Sequence, residues 1–186
     1  PGFDPTTDAL PAPRDGGRVV VQIENLPRSL NYLIDNSTVT RRIQGEIHAT
    51  LLTRDIGTLE RKGDLAESWI VEDALFLAGG GRVFGRIEDA GQNWRVTALS
   101  GAHPDAAAAR EIPKSGVERI ERGTVFTFTL RPDVLWHDGH ALRVEDFLFT
   151  WRMTRNPAVN CGEQRFQFEQ IVDAEKLDLR RLRFYF

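Results

Sequence analysis

The sequence predicts an α/β domain, a mixed sheet with flanking helices, from three observations. Thr124–Arg131 alternates, with Phe126, Phe128 and Leu130 on one face and Val125, Thr127, Thr129 and Arg131 on the other, the two-residue period of a strand. Val144, Phe147, Leu148 and Trp151 fall at i, i+3, i+4 and i+7, the stripe of an amphipathic helix. Val39, Ile43, Ile47 and Leu51 form a second stripe at helical spacing. The 186 residues suffice for one core, and 41% hydrophobic with 27% charged residues reads as a globular domain rather than a disordered or collagen-like chain.

The elements follow in order. Residues 1–17 are rich in Pro, Asp, Thr and Gly and bury too little apolar surface to offset their ordering entropy, so they read as a linker or tether. The β-branched run Val19, Val20, Val21, Ile23 predicts a first strand ended by Pro27. Asn36, Ser37 and Thr38 are capping residues, and the stripe after them predicts a helix over 39–52. Beyond the triplet Gly79–Gly81, the alternation of Val83, Ile87, Trp94, Val96 and Ala98 about a turn at 89–93 predicts a β-hairpin. Ala106–Ala109 suggests a helical turn before Pro113. The second long helix covers 144–155, with Glu145 and Asp146 in its first turn, Arg152 and Arg155 in its last, and Asn156-Pro157 as terminator. Its stripe should bury Trp151, and Phe149 and Met153 suggest cover on a second face. Asn160 and Glu163 have the spacing of a capping box for a short helix through Phe168. Leu182, Phe184 and Phe186 alternate with Arg181, Arg183 and Tyr185 as a last strand, and a chain that stops inside a strand suggests the front part of a longer protein.

Chemistry-bearing patterns are sparse. A net charge of −3 argues against nucleic acid, which calls for a basic patch. The Gly triplet lacks the Lys-Ser or Lys-Thr of a phosphate loop. His137, Asp138 and His140 could ligate zinc, but they surround the turn dipeptide Asp138-Gly139 and no third distant ligand is marked. Ser100-Gly101 and Ser115-Gly116 do not sit in nucleophile elbows, and the lone Cys161 has no His near it in sequence. No catalytic set, metal site or cofactor is expected.

Several segments resemble the bacterial family 5 extracellular solute-binding proteins, the peptide- and oligopeptide-binding subunits of ABC importers. Asp64–Trp69, DLAESW, matches a signature of that family. TVFTFTLRPDVLWHDG, from Thr124 to Gly139, is similar to its TFTLRPGVKWHDG block, and ALRVEDFLFTWRMTRNP, from Ala141 to Pro157, to its PLTAEDVVFSWERIKNP helix. Ile47–Asp55, IHATLLTRD, resembles IYEGLLTRD, and residues 171–186 resemble the following hairpin. Arg143 stands where the family has a Thr cap, Ala49-Thr50 where it has Glu-Gly, and the span 71–122 is much longer than the family's short turn.

The resemblance implies a partial lobe of a type II periplasmic-binding-protein-like fold, with residues 18–186 as the first part of the first lobe and an insertion at about 74–117 carrying the hairpin. It implies export to the periplasm or cell surface, a membrane connection only through an upstream lipid anchor, and a non-catalytic monomer that hands a peptide or other small solute to ABC permease subunits. By position, Asn36, Ser37 and Thr38, and Glu163, Arg165 and Phe166, border the family's ligand. The competing expectations are a protein-protein interaction module derived from such a lobe, and a metal-dependent hydrolase on His137, Asp138 and His140.

Overall fold

The computed structural model describes residues 16–99 and 109–186. Helix α1 (Thr38–Ile47) precedes a two-stranded ribbon, β1 (Leu52–Arg54) and β2 (Arg61–Gly63). The main sheet is built from β3 (Ala66–Leu77), β4 (Arg82–Ala90), β5 (Asn93–Thr97), β6 (Arg110–Pro113), β7 (Val117–Leu130), β8 (Asp173–Lys176) and β9 (Arg181–Tyr185). Helices α2 (Val144–Arg155) and α3 (Gly162–Phe168) lie between β7 and β8 in sequence. The seven strands run in the order β6-β5-β4-β3-β7-β9-β8. The α/β class stands, but among the described residues every pairing is antiparallel where a mixed sheet was expected.

The backbone of the fold is the β3–β7 pair, which runs from Ala66↔Leu130 to Leu77↔Val117 with three register shifts. One face of its lower half packs on α2 through Ala66, Phe128, Leu130, Val144, Leu148, Leu182 and Phe184. This is the predicted strand and helix meeting as their stripes require. The strand starts earlier than expected, at Val117, because β3 pairs with it along its whole length.

The opposite face is covered as well: Val125 and Thr127 are buried, and so are Arg183 and Tyr185 on β9. Arg183 donates from Nε to Thr127 Oγ1 at 3.0 Å and from Nη1 to Glu175 Oε1 at 3.2 Å, and its Nη2 lies 3.7 Å from Oε2 of the buried Glu72. Glu72 Oε1 accepts the Leu99 N–H at 2.8 Å. Burial, helped by a bond to Glu175, pushes the Tyr185 hydroxyl up to about 12.

The hairpin about 89–93 forms as β4 and β5, with Gly91 at φ +72° in its turn. Rather than projecting, it continues the main sheet through β3–β4 pairing, and Leu75, Ile87 and Val96 form a second small core there. Gly85 permits this closeness: a Cβ at that position would stand 2.5 Å from the Thr97 carbonyl oxygen. The two cores are separate clusters, and Asp73 already accepts hydrogen bonds from Arg122 and the Gly123 N–H. Replacing residues 74–121 by an Asn-Gly turn should therefore leave a chain with a cooperative thermal transition and native near-UV dichroism. A non-cooperative melt would show that the Leu75 cluster is required for the Leu148 cluster to form.

Five local expectations are corrected. Residues 19–23 are not a strand; Val19 is 85% exposed, since β-branched residues form a strand only against a partner edge. Helix α1 ends at Ile47 rather than 52, where Thr50, its N–H held by Asp64 Oδ2 at 2.9 Å, leads the chain into β1. Its buried residues are Thr40 and Gln44, not the apolar stripe, and Ile47 is exposed. Trp151 is half-buried, its indole N–H donating to the Ile171 carbonyl at 3.2 Å, and Phe149 faces solvent. Cys161 rather than Asn160 precedes α3, with no side-chain cap. The expected turn over 106–109 begins outside the described residues. Where Arg143 replaces a capping Thr, Asp146 reaches back to accept the Arg143 N–H at 2.8 Å, which supplies the cap from within the helix.

Candidate functional site

The segment before α1 is organised by one carboxylate. Asp35 accepts hydrogen bonds from the Ser37 N–H at 2.9 Å, the Thr40 hydroxyl at 2.9 Å and the Ser29 N–H at 3.2 Å. Ser37 caps α1 by accepting the Thr40 N–H, and Gln44 Nε2 donates to the Leu30 carbonyl. Thr40 and Gln44 thus explain why α1 buries polar residues: they hold residues 29–35 against the helix. The Ser37 N–H foremost, with the Thr40 hydroxyl and the Ser29 N–H, holds the Asp35 carboxyl far below its usual 3.8, against the opposing effect of burial.

A depressed folded-state value means that Asp35 stabilises the fold fully above its ordinary value and that this contribution is lost as pH falls below it. Chemical denaturation should show wild type losing more stability between pH 6 and pH 3 than Asp35→Asn. Equal losses would mean that another carboxylate carries the acid sensitivity.

The facing segment is set by Arg165. Its guanidinium donates to the carbonyls of Thr154 at 3.0 Å, Asn156 at 2.9 Å and Val159 at 2.7 Å, tying α3 to the end of α2. Cys161 is buried with its Sγ against the Thr154 carbonyl, a packing role. This seats Gln164, 1% exposed, on the inner side of α3.

Between the two segments lies a cleft of about 520 Å³ whose lining includes Arg28, Asn36 and Ser37 on one side and Cys161, Glu163 and Gln164 on the other. The structure therefore brings Asn36, Ser37 and Glu163 together from segments far apart in sequence. Thr38 opens α1 outside this lining, Arg165 is engaged with backbone carbonyls, and Phe166 is 72% exposed away from it. Arg28 and Gln164 were not singled out from sequence. Gln164 left a faint signal, a polar residue three after Cys161 and four before Phe168 on one helical stripe. Asn36 Oδ1 and Nδ2 and Gln164 Oε1 are buried without a hydrogen-bond partner among the described residues.

The His137–His140 segment forms a tight turn, with Gly139 at φ +86° and the Trp136 N–H donating to the His140 carbonyl at 2.7 Å. Asp138 accepts from the His140 backbone, which lowers its carboxyl below the usual value. Among the described residues no three His, Cys, Asp or Glu side chains group as metal ligands would.

The sequence from residue 60 to 186 matches the family model of bacterial extracellular solute-binding proteins, family 5 Middle. The chain belongs to this family. No curated protein matches it. The family 5 match takes in β2 through β9, and so the Glu163 side of the cleft, while Asn36 and α1 precede it. Membership makes this chain part of a solute-binding protein that serves transport outside the cytoplasm. No helix among its described residues is long and apolar enough to cross a membrane.

Proposed function

We propose that this family 5 chain binds a small solute, a peptide in the first instance, in the cleft between the Asn36 and Glu163 segments and delivers it to an ABC-type importer without chemical change. The observation that carries this reading is the meeting, in one cleft, of two distant segments that hold buried amide atoms without partners among the described residues. Such groups cost stability when they are unpaired, and a peptide, which offers a donor and an acceptor at every backbone unit, would satisfy them. Asn36, Ser37 and Glu163 are the proposed contacts. Thr38, through α1, and Arg165, through its carbonyl clamp, support the walls, and Phe166 is available to a surface that closes over the ligand. Residues 1–17 serve as a tether, 18–186 form the first part of one lobe, and 74–117 is an insertion.

A cleft lined by one lobe alone leaves much of a ligand's surface hydrated and offsets its ordering entropy poorly. Calorimetric titration of a tri- to pentapeptide pool into the complete gene product should give roughly micromolar or tighter binding. The 186-residue chain alone should bind at least about a hundredfold more weakly. Equal affinity in the two would contradict the need for a second lobe. Stoichiometric zinc uptake abolished by His137→Ala would favour hydrolytic chemistry at the turn instead.

A further inference from the structure

We propose that Gln164 contacts the ligand directly, and that its carboxamide and that of Asn36 form an uncharged subsite which selects a neutral amide group over an ionised carboxylate. The inference rests on the cleft being the solute site and adds to it a residue and a selectivity.

The argument starts from which atoms lack partners. Gln164 is 1% exposed and its Oε1 is buried without a hydrogen bond among the described residues. Across the cleft both ends of the Asn36 carboxamide are in the same condition. Gln44 and Thr124 each hold one such atom outside the lining of this cleft, whereas Asn36 and Gln164 both line it. Buried polar atoms are almost always paired, so two side chains unpaired on facing walls mark a place where something else supplies the bonds.

The chemistry of the missing partner follows from donors and acceptors. Asn36 Oδ1 and Gln164 Oε1 need donors, and Asn36 Nδ2 needs an acceptor. An amide, with its N–H and its carbonyl, supplies both. A carboxylate supplies acceptors only, so it would leave the two carbonyl oxygens unpaired and place its charge against their lone pairs. An ammonium group supplies donors only. The buried lining carboxylate, Asp35, does not supply the missing bonds, because its oxygens are engaged by Ser29, Ser37 and Thr40. The charged lining residues Arg28 and Glu163 are exposed, and the negative charge of the buried Asp35 adds to the preference against a carboxylate.

The test uses N-methylacetamide and acetate as probes on the complete gene product, followed through the side-chain amide NMR signals of Asn36 and Gln164, with Gln164→Met as the first variant. N-methylacetamide should move both sets of signals and acetate should not. Gln164→Met should weaken the N-methylacetamide response roughly tenfold, the effect of one buried hydrogen bond, while its melting temperature stays at or above wild type because an unpaired polar atom has been removed. Asn36→Asp, which keeps the shape and removes the donor, should weaken the same response without Gln164 being touched.

Equal response to acetate, or an unchanged response in Gln164→Met, overturns the proposal. So does a melting temperature that falls while binding is kept, which would make Gln164 structural. Failure of the peptide pool to bind while the N-methylacetamide signals move sinks the peptide reading and leaves the subsite. Peptide binding with no N-methylacetamide response does the reverse.

Discussion

Arg183→Met is expected to destabilise the protein by about 3–5 kcal/mol, the usual result of removing one partner from a buried ion pair. Arg183 is 7% exposed and lies under the sheet between Glu72, Glu175 and Thr127. Its removal takes an ion-pair partner from Glu72, which is 1% exposed. Met fits the space and removes no stem volume of consequence, so the loss reports charge rather than packing. The double variant Glu72→Gln with Arg183→Met should recover a substantial part of the loss, since both members of the buried ion pair are then neutral. Urea denaturation of the two single variants and the double variant measures this. A single-variant loss below about 1 kcal/mol would show the pair to be solvated.

Leu148→Ala should cost about 2–5 kcal/mol, the range for a buried leucine whose cavity does not collapse. Leu148 is 5% exposed and shares its cluster with Phe128, Leu130, Leu182 and Phe184, so it is a principal apolar tie between α2 and the sheet. The consequence extends to the cleft. Arg165 grips the carbonyls of Thr154 and Asn156 at the end of α2, so a loosened α2 carries the Gln164 wall with it. Solute affinity should fall along with stability in Leu148→Ala, whereas Phe149→Ala, on the exposed face of the same helix, should change neither. If affinity survives a full loss of about 2 kcal/mol or more in Leu148→Ala, the cleft wall is held by α3 independently of α2.

What could be read from the chain depended on whether one physical rule governed each segment alone. Helix α2 was legible to its ends because its apolar period, its dipole-matched charges and its Asn-Pro stop all agree. The core of β7 was legible for the same reason. Its first residues were not, since Glu118, Arg119, Glu121 and Arg122 suggest solvent until β3 is known to lie beside them; Arg119 stacks on Phe76, with its guanidinium carbon 3.7 Å from the ring centroid. The run Val19–Val21 has the right residues for a strand and pairs with no edge among the described residues, and sequence does not report edges. In α1 the apolar stripe misled, because the buried contact is polar: Thr40 and Gln44 bind a loop that lies earlier in the chain. The cleft was legible only in part. Resemblance pointed to Asn36, Ser37, Thr38, Glu163, Arg165 and Phe166, of which Asn36, Ser37 and Glu163 line one cleft; the role we propose for Gln164 rests on an atom without a partner among the described residues, which is a property of three-dimensional neighbours and not of residue type.

The long β3–β7 pairing has a consequence in time. Its partners stand between forty and sixty-four residues apart in the chain, so the strand pair at the centre of the fold can form only after a large loop has been closed, whereas the β4–β5 hairpin can close by itself within microseconds. Folding should accordingly be slow, with an early local hairpin waiting on a late central zipper. For a protein of a family that works outside the cytoplasm, that delay lengthens the interval in which the newly made chain is still loose enough to be threaded through a membrane.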